Sequence, residues 1–467
     1  MNVRSLKRCW KRGDKLEAFK LKEIAAACGC TTALDGEITK ISIDSRDIDE
    51  NTLFVAIKGA RFDANDFVGE VLEKGAKAVV CSRFEGSDKR VMLVEDTGKA
   101  LLDIACCYRK HFMIPFICLT GSVGKTTTKG MVFSVVSEKY NTLRTIGNLN
   151  NEIGMPKTLF NLDNSYGAAV IEMGMNHFGE ISRLSQTALP DIGIITNVGT
   201  AHIENLGSRE GILKAKCEIL DGMADGAPLI INGDNDMLAT LGDLSRPVYR
   251  FGIDGENLYM KAVDIEEDAD GSRFNAICGD ECERVTVNEV GRHNVYNALC
   301  AMCVGKLLGY TLKEAAKGVA EFVPEGMRQK ITKVKDYVFI EDCYNANPDS
   351  MHAAISALNT VKTARSIAVL SDMLELGAHS DEAHREIGGF AAKAGTDAVL
   401  TFGEAAALIS EAAAQQGVKT ARHFENKDEL TLFLKEFLKP GDTVLFKGSR
   451  SMKTEEIFQT LYKEWNV

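Results

Sequence analysis

Residues 117–128, ICLTGSVGKTTT, pass within one short stretch from an apolar run to glycine, lysine and three threonines. The pattern predicts a buried strand, a tight turn and a helix that opens on the lysine and runs to about Tyr140. Glycines let backbone N–H groups turn toward an anion, and a helix that starts there adds the positive end of its dipole. The turn Gly121, Ser122, Val123, Gly124 with Lys125, Thr126 and Thr127 is therefore a candidate cradle for nucleotide phosphates. Lys125 supplies a mobile cation for the outer phosphates, and Thr126 a hydroxyl suited to Mg²⁺. A full P-loop pattern would place glycine at position 119, where Leu119 stands. The shorter form is less specific as a string, but a strand before it and a helix after it are what phosphate binding requires.

At 467 residues the chain has room for about three domains of ordinary size. Its net charge of −11 argues against a general nucleic-acid binder, which needs a basic face. No apolar run approaches the ~18 residues of a membrane span. The basic start, MNVRSLKRCWKRGDK, lacks the apolar core of a signal peptide, so a cytoplasmic protein with a frayed extension is expected. Thirteen cysteines, many inside apolar runs, fit free thiols in a reducing compartment. Cys300 and Cys303 on an apolar helix, with Cys278 and Cys282 in a charged hairpin, only superficially have zinc spacing.

Taken in order, residues 1–112 form a first unit, with a short helix over 21–28 and two β-rich runs around acidic turns. Ser45 and Arg46 follow the first of these runs. Arg46 could clamp a phosphate through its planar fork or make a surface salt bridge in a hairpin. Residues 113–325 alternate strand and helix patterns, as a doubly wound parallel sheet does. Strands over 168–171 and 192–195 end in EMGMNH and TNVGTAHIENLGS. Ligands of open α/β sheets gather outside the carboxyl ends of the strands, so these clusters and the glycine turn point to one crevice. Glu172 is a good Mg²⁺ ligand by chemistry, whereas His202 alone reads as a structural or acid/base histidine. Lys214 and Lys216, flanked by Glu210 and Glu218, read on spacing alone as ion pairs on a solvated helix face. Asn294 and Asn297 share a helix face, where they could read an adenine edge or act as cap and core amide. Residues 326–467 restart the alternation, with strands over 337–340, 367–370 and 444–446, and Arg328 lies at the junction.

TGSVGKTTT, NLNNEIGMP, EMGMNH, ITNVGTAHIENLGS, GRHNVYNAL and DCYNANPDS occur in this order, and together the chain resembles the Mur ligases from about residue 18 to its end. The resemblance implies an α/β protein of three domains: a small N-terminal domain for a UDP-sugar, a central P-loop ATPase and a Rossmann-like C-terminal domain. It implies a monomeric, ATP-dependent amide ligase that joins D-alanyl-D-alanine to a UDP-muramoyl tripeptide, the small-molecule substrates of cell-wall synthesis. It also moves Lys216 to the place of a carbamylated lysine that holds a second Mg²⁺ with His202, while Thr126 and Glu172 match the other metal ligands. Asn294, Asn297, Arg328, Asp342 and Tyr344 match nucleotide contacts. Ser45 and Arg46 match a DSR motif near the UDP moiety, and Asn151, Lys447, Ser449 and Arg450 fall among substrate contacts. Departures are DANDF with Ala64 and Asn65, Ser371 in place of a glycine, and Met327 beside Arg328. A sibling Mur ligase, a folylpolyglutamate synthetase and a P-loop switch without ligase chemistry are the alternatives.

Overall fold

The computed structural model describes residues 16–59, 62–324, 326 and 328–465. The basic N-terminal stretch and Met327 lie outside the described residues. The run FICLT becomes the strand Phe116–Thr120, buried along its whole length, as a central strand of a sheet covered on both faces must be. Leu119 belongs to this buried strand, so the position that a full P-loop would give to glycine is here core packing. The turn closes through Gly124 at φ +77, a left-handed conformation natural to glycine, and the helix Lys125–Val136 follows. It stops four residues short of Tyr140, because the chain turns there into the strand Thr142–Arg144.

Phe116–Thr120 lies inside a nine-stranded sheet, between Ala168–Glu172 and Ile192–Ile195, and is parallel to both. Leu119 pairs with Glu172, and Thr120 with Ile195. The carboxyl ends of the three strands are therefore level, and the loops after them open side by side. Leu229–Asn232, Val248–Gly252 and Met260–Asp268 continue the parallel order. Gly271–Cys278 and Glu281–Val287 then close that edge as an antiparallel hairpin. On one face, helix Arg292–Leu307 packs with the Lys125–Val136 helix in an apolar core.

The first unit holds four parallel strands, Lys40–Ser42, Thr52–Val55, Ala78–Cys81 and Val91–Leu93. The two β-rich runs thus pair in parallel and form no hairpin. Their connection is held instead by Lys40, whose Nζ donates to Asp47 at 2.5 Å and to Asp49 at 3.4 Å. A six-stranded sheet, parallel except for Lys330–Val334 at one edge, carries the C-terminal part. The protein is therefore α/β throughout, with a sheet for each of the three parts that the sequence pattern separates. All twelve described cysteines are free thiols. No helix among the described residues is long and apolar enough to cross a membrane.

Helix Thr97–Arg109 joins the first unit to the nine-stranded sheet. The Tyr108 hydroxyl donates to the Leu162 carbonyl at 2.7 Å. Arg109 spreads its guanidinium over the carbonyls of Ala188 (2.8 Å), Leu189 (3.0 Å) and Phe112 (3.3 Å) and lies 3.9 Å from the centre of the Phe116 ring. Removing it strands three acceptors, two of them buried, at the base of the phosphate-loop strand. Arg109→Ala should therefore destabilise the protein by about 2–4 kcal/mol, read as a lower unfolding midpoint, and Arg109→Lys should recover little because an ammonium lacks the planar fork.

Candidate functional site

The glycine turn is stapled from the neighbouring strand. Asn197 Oδ1 accepts from the backbone N–H of Ser122 (3.0 Å) and Val123 (2.9 Å), and the Thr196 hydroxyl donates to the Val123 carbonyl (2.9 Å). A Cβ at Gly121 would lie 1.8 Å from Thr196 Oγ1, so that approach depends on glycine. Lys125 folds back, with Nζ donating to the carbonyls of Gly121 (2.7 Å) and Ser122 (3.3 Å). Burial pushes its pKa down, Glu172 opposes that shift, and Arg328 adds to it. The first N–H groups of the Lys125–Val136 helix have no partners within the helix, and this end of it lines the cleft with Gly124, Thr126 and Thr127.

Glu172, 1% exposed, ends the adjacent strand beneath this turn. The Thr126 hydroxyl donates to Oε2 at 3.1 Å, Asn150 Nδ2 donates to Oε1 at 2.8 Å, and Lys129 Nζ lies 3.5 Å from Oε2. Burial alone would raise this carboxyl's pKa. Lys129, Lys125, Arg328 and the Asn150 amide outweigh it and hold the pKa below the usual range, so Glu172 is an anion at neutral pH.

His202, in the left-handed region at φ 64, presents Nδ1 to Glu375 Oε2 of the C-terminal part at 2.6 Å. Burial, then the charge of Lys125, push its pKa down, and Glu375 opposes them. Lys216 is not on a solvated face. It is 1% exposed on helix Arg209–Cys217. Burial and the charge of Lys125 push its pKa well down, which disfavours the ammonium form. The ion-pair expectation fails for its neighbours too. Glu218 accepts from the N–H groups of Gly179 (2.8 Å) and Ser182 (3.2 Å), and Lys214 lies 5.9 Å from the centre of the Phe178 ring.

Lys125, Thr126, Glu172 and His202 border a cleft of about 900 Å³ between the nine- and six-stranded sheets. Asn294 and Asn297 line it, yet they are bonded as core amides: Asn297 accepts from the Thr128 hydroxyl (2.9 Å) and donates to Asn294, which donates to the Val290 carbonyl. At that end burial pushes the carboxyl of Glu289 up to about 7. On the C-terminal side Arg328 lies 3.9 Å from the centre of the Tyr344 ring. Lys447 Nζ donates to Asp342 (2.6 Å) and to the Asn345 carbonyl (3.0 Å). A smaller cavity of about 450 Å³ adjoins the cleft at His202, Tyr344 and Asn347 and holds Glu375, Ser449 and Arg450.

The structure thus brings Gly124 to Thr127, Asn151, Glu172, His202, Asn294, Asn297, Arg328, Asp342, Tyr344 and Lys447 around one cleft. Lys216 is buried and is not among the residues that line the cleft. Ser45 and Arg46 do not border it: Arg46 forms a fork with Asp44 (2.8 and 2.7 Å) on an exposed loop, which is the salt-bridge alternative. Asn65 of DANDF is buried and accepts from the Ser82 N–H at 2.8 Å. Ser371 presses on Gly448, where a Cβ would lie 1.8 Å from its Oγ. Sequence reasoning passed over Asn150, Lys129, Asn197 and Glu375. Asn150 and Asn197 stood inside quoted motifs, and Glu375 in the polar run SDMLELG that follows the strand over 367–370, but nothing local marked Lys129.

Among the described residues no three His, Cys, Asp or Glu side chains cluster to cage a metal. Thr126 and Glu172 offer adjacent hard oxygens, which suits Mg²⁺, an ion commonly held by one or two carboxylates together with substrate phosphates. The donor set therefore fits that ion at this point.

Three family models match the chain: Mur ligase family, catalytic domain, over residues 37–104; Mur ligase middle domain over 119–305; and Mur ligase, glutamate ligase domain, over 327–450. The UDP-N-acetylmuramoyl-tripeptide–D-alanyl-D-alanine ligase of Bacillus subtilis is 37% identical over 427 residues, covering 90% of this chain and 92% of the relative. The ligase of the same name from Escherichia coli is 37% identical over 446 residues, with 92% and 97% covered. MurF from Acinetobacter baumannii superposes with a TM-score of 0.87 at 30% identity over 96% of this chain and 100% of that one. MurF from Thermotoga maritima in complex with ADP gives 0.82 at 29% over 91% and 97%. A folylpolyglutamate synthase from Mycobacterium tuberculosis, at 15% identity and TM-score 0.61, shares the fold alone. Since Gly121 has no room for a methyl group, Gly121→Ala should weaken ATP binding at least about 100-fold by calorimetry, while the far-UV circular dichroism stays as in the parent.

Proposed function

The chain belongs to the Mur ligase family, and from that membership and the geometry of its cleft we infer that it is an ATP-dependent ligase joining D-alanyl-D-alanine to a UDP-N-acetylmuramoyl tripeptide in peptidoglycan synthesis. The observation that carries this reading is the meeting of Lys125, Thr126 and Glu172 at the level ends of adjacent parallel strands, roofed by Arg328, Asp342 and Lys447 from the C-terminal side. We place the domains at 1–112, 113–325 and 326–467: UDP-substrate domain, ATPase and Rossmann-like domain. The protein works as a cytoplasmic monomer on small-molecule substrates.

In the first step a carboxylate oxygen of the tripeptide attacks the γ-phosphorus of ATP, and the bond to the bridging oxygen breaks to release ADP. Two anions must meet, so the step needs positive charge that is already in place. Lys125, held on the carbonyls of Gly121 and Ser122, is within a side chain's swing of the outer phosphates. The N–H groups of the helix start hold the inner ones. Asn294, Asn297, Arg328, Asp342 and Tyr344 seat the nucleoside. In the second step the dipeptide amine attacks the acyl carbonyl, the C–O bond breaks so that phosphate leaves carrying the oxygen that came from the carboxylate, and the ammonium proton is lost. Asn151, Lys447, Ser449 and Arg450 orient the two peptides, and Ser45 and Arg46 the UDP end. Closure of the C-terminal domain keeps water from the acyl phosphate.

Thr126 and Glu172 would hold one Mg²⁺, and His202 with a carbamylated Lys216 a second. These ions would neutralise phosphate charge and polarise the γ-phosphoryl group. A buried, uncharged lysine amine is the form that adds to carbon dioxide, and its carbamate would restore an anion beside Lys125 and His202. That chemistry explains a lysine at a place where an ammonium is disfavoured.

Lys125→Ala should lower ADP formation at least about 100-fold, measured by rapid quench without dipeptide; unchanged turnover would remove the phosphate turn from the mechanism. Lys216→Ala should lose activity and regain part of it with formate or acetate. No rescue, with an unmodified Lys216 in intact-protein mass spectrometry under bicarbonate, would count against carbamylation. An assay of ATP turnover against candidate amines separates this ligase from its siblings and from a binding switch: D-alanyl-D-alanine should stimulate phosphate release, and glutamate, lysine or diaminopimelate should not.

A further inference from the structure

The loop between the strand Ser366–Ser371 and the helix Ser380–Lys393 carries a carboxylate across the junction of the two larger sheets. Glu375 Oε2 lies 2.6 Å from Nδ1 of His202, 173 positions away in the chain. Both residues adopt positive φ, 63° and 64°, a conformation that side-chain-bearing residues rarely keep unless their surroundings impose it. On the C-terminal side those surroundings are well built. The Met373 N–H donates to His384 Nε2 (3.0 Å), the Leu374 N–H to Ser449 Oγ (2.9 Å), and Asp372 Oδ1 accepts from the Ala406 N–H (2.8 Å). Leu376 is buried, and a Cβ at Gly377 would lie 3.2 Å from Glu204 Cγ, so the loop rests directly on the short helix that follows His202. Glu375 is thus offered to His202 by a braced frame.

A carboxylate only accepts hydrogen bonds, so the proton of a neutral His202 sits on Nδ1, and Nε2 keeps its lone pair. This is the arrangement in which a histidine ligates a metal through one nitrogen while a carboxylate fixes its ring through the other. We propose that Glu375 is a positioning residue that holds the His202 ring with Nε2 ready for a divalent cation, so that this half of the metal site is complete only when the C-terminal domain is closed. The proposal rests on the ligase reading in so far as His202 is a metal ligand there. It adds a coupling: the same hydrogen bond that latches the domains also prepares the cation site, so phosphoryl transfer waits for the lid that excludes water. Glu375 also borders the smaller cavity, where a carboxylate could instead receive the ammonium of the incoming dipeptide. The two roles respond differently to substitution.

Glu375→Ala, Glu375→Gln and Glu375→Asp in the full chain decide between them. Affinity for Mn²⁺ is read by electron paramagnetic resonance in the presence of ADP, and the Mg²⁺ dependence of turnover and the KM for D-alanyl-D-alanine by steady-state kinetics. The alanine and aspartate variants, without an acceptor or without its reach, should bind Mn²⁺ about 10-fold or more weakly and need correspondingly more Mg²⁺, with the dipeptide KM held within about 3-fold. Glutamine keeps an acceptor oxygen at the same reach and should restore Mn²⁺ affinity to within a few-fold of the parent. Unchanged Mn²⁺ affinity with a raised dipeptide KM would overturn the proposal and make Glu375 an acceptor ligand. Parent-like behaviour of the aspartate variant would overturn it as well, and that variant carries the test should the alanine protein fail to fold. If the parent bound Mn²⁺ with ADP but ligated no dipeptide, the ligase reading would fall, while Mn²⁺ binding by the variants would still judge the latch.

Discussion

Glu172 places a negative charge in the interior at the end of a parallel strand, and burial of that kind costs several kcal/mol unless cations and donors surround it. Here they do: Lys129, Lys125 and Arg328 supply charge, while Thr126 and Asn150 supply hydrogen bonds. The result is one carboxylate among three cations, a local excess of positive charge inside a chain whose total is −11. Polyanionic phosphates fit such a cluster. Charge near the reacting atoms governs the chemistry, and the net charge of the molecule speaks only to its solubility and to what it repels.

That cluster exists because the register of three neighbouring strands brings their ends level. The glycine turn, Glu172 and the loop of Asn197 and His202 then come together without any long excursion of the backbone. The strands hold the charged side chains, and the C-terminal part supplies the remainder: Arg328 on Tyr344, Lys447 on Asp342 and Glu375 on His202. Asp349 at the start of helix Pro348–Val361 reaches Gly199 so closely that a Cβ there would lie 1.8 Å from its Oδ2. The state described here is therefore one in which the C-terminal part is seated against the ATP-binding loops.

Much of this was legible from the chain alone, for definite reasons. The strands Phe116–Thr120, Ala168–Glu172 and Ile192–Ile195 are continuous apolar runs ended by polar residues, and the open-sheet rule for ligand position then implied one crevice. Lys216 was misread by spacing, because neighbours four residues apart suggest a solvated face and cannot reveal that a different element covers the helix. The amides of Asn294 and Asn297 share a face as their spacing implied, yet they bond mainly to each other and to Thr128, a pairing that needs the packing of two helices. Parallel pairing of Lys40–Ser42 with Thr52–Val55 escaped a local pattern that looked like a hairpin, since strand direction is set by partners beyond the turn. Glu375 and Lys129 gain their importance wholly from residues distant in sequence.

Crystals of the protein grown with ADP and Mn²⁺, with anomalous scattering recorded at the manganese edge, test the central claim most directly. The account predicts a peak within coordination distance of Thr126 Oγ1 and a Glu172 oxygen, with Lys125 turned from the Gly121 carbonyl toward the β-phosphate. A manganese peak elsewhere in the cleft, with Glu172 still held only by Thr126, Asn150 and Lys129, would contradict it.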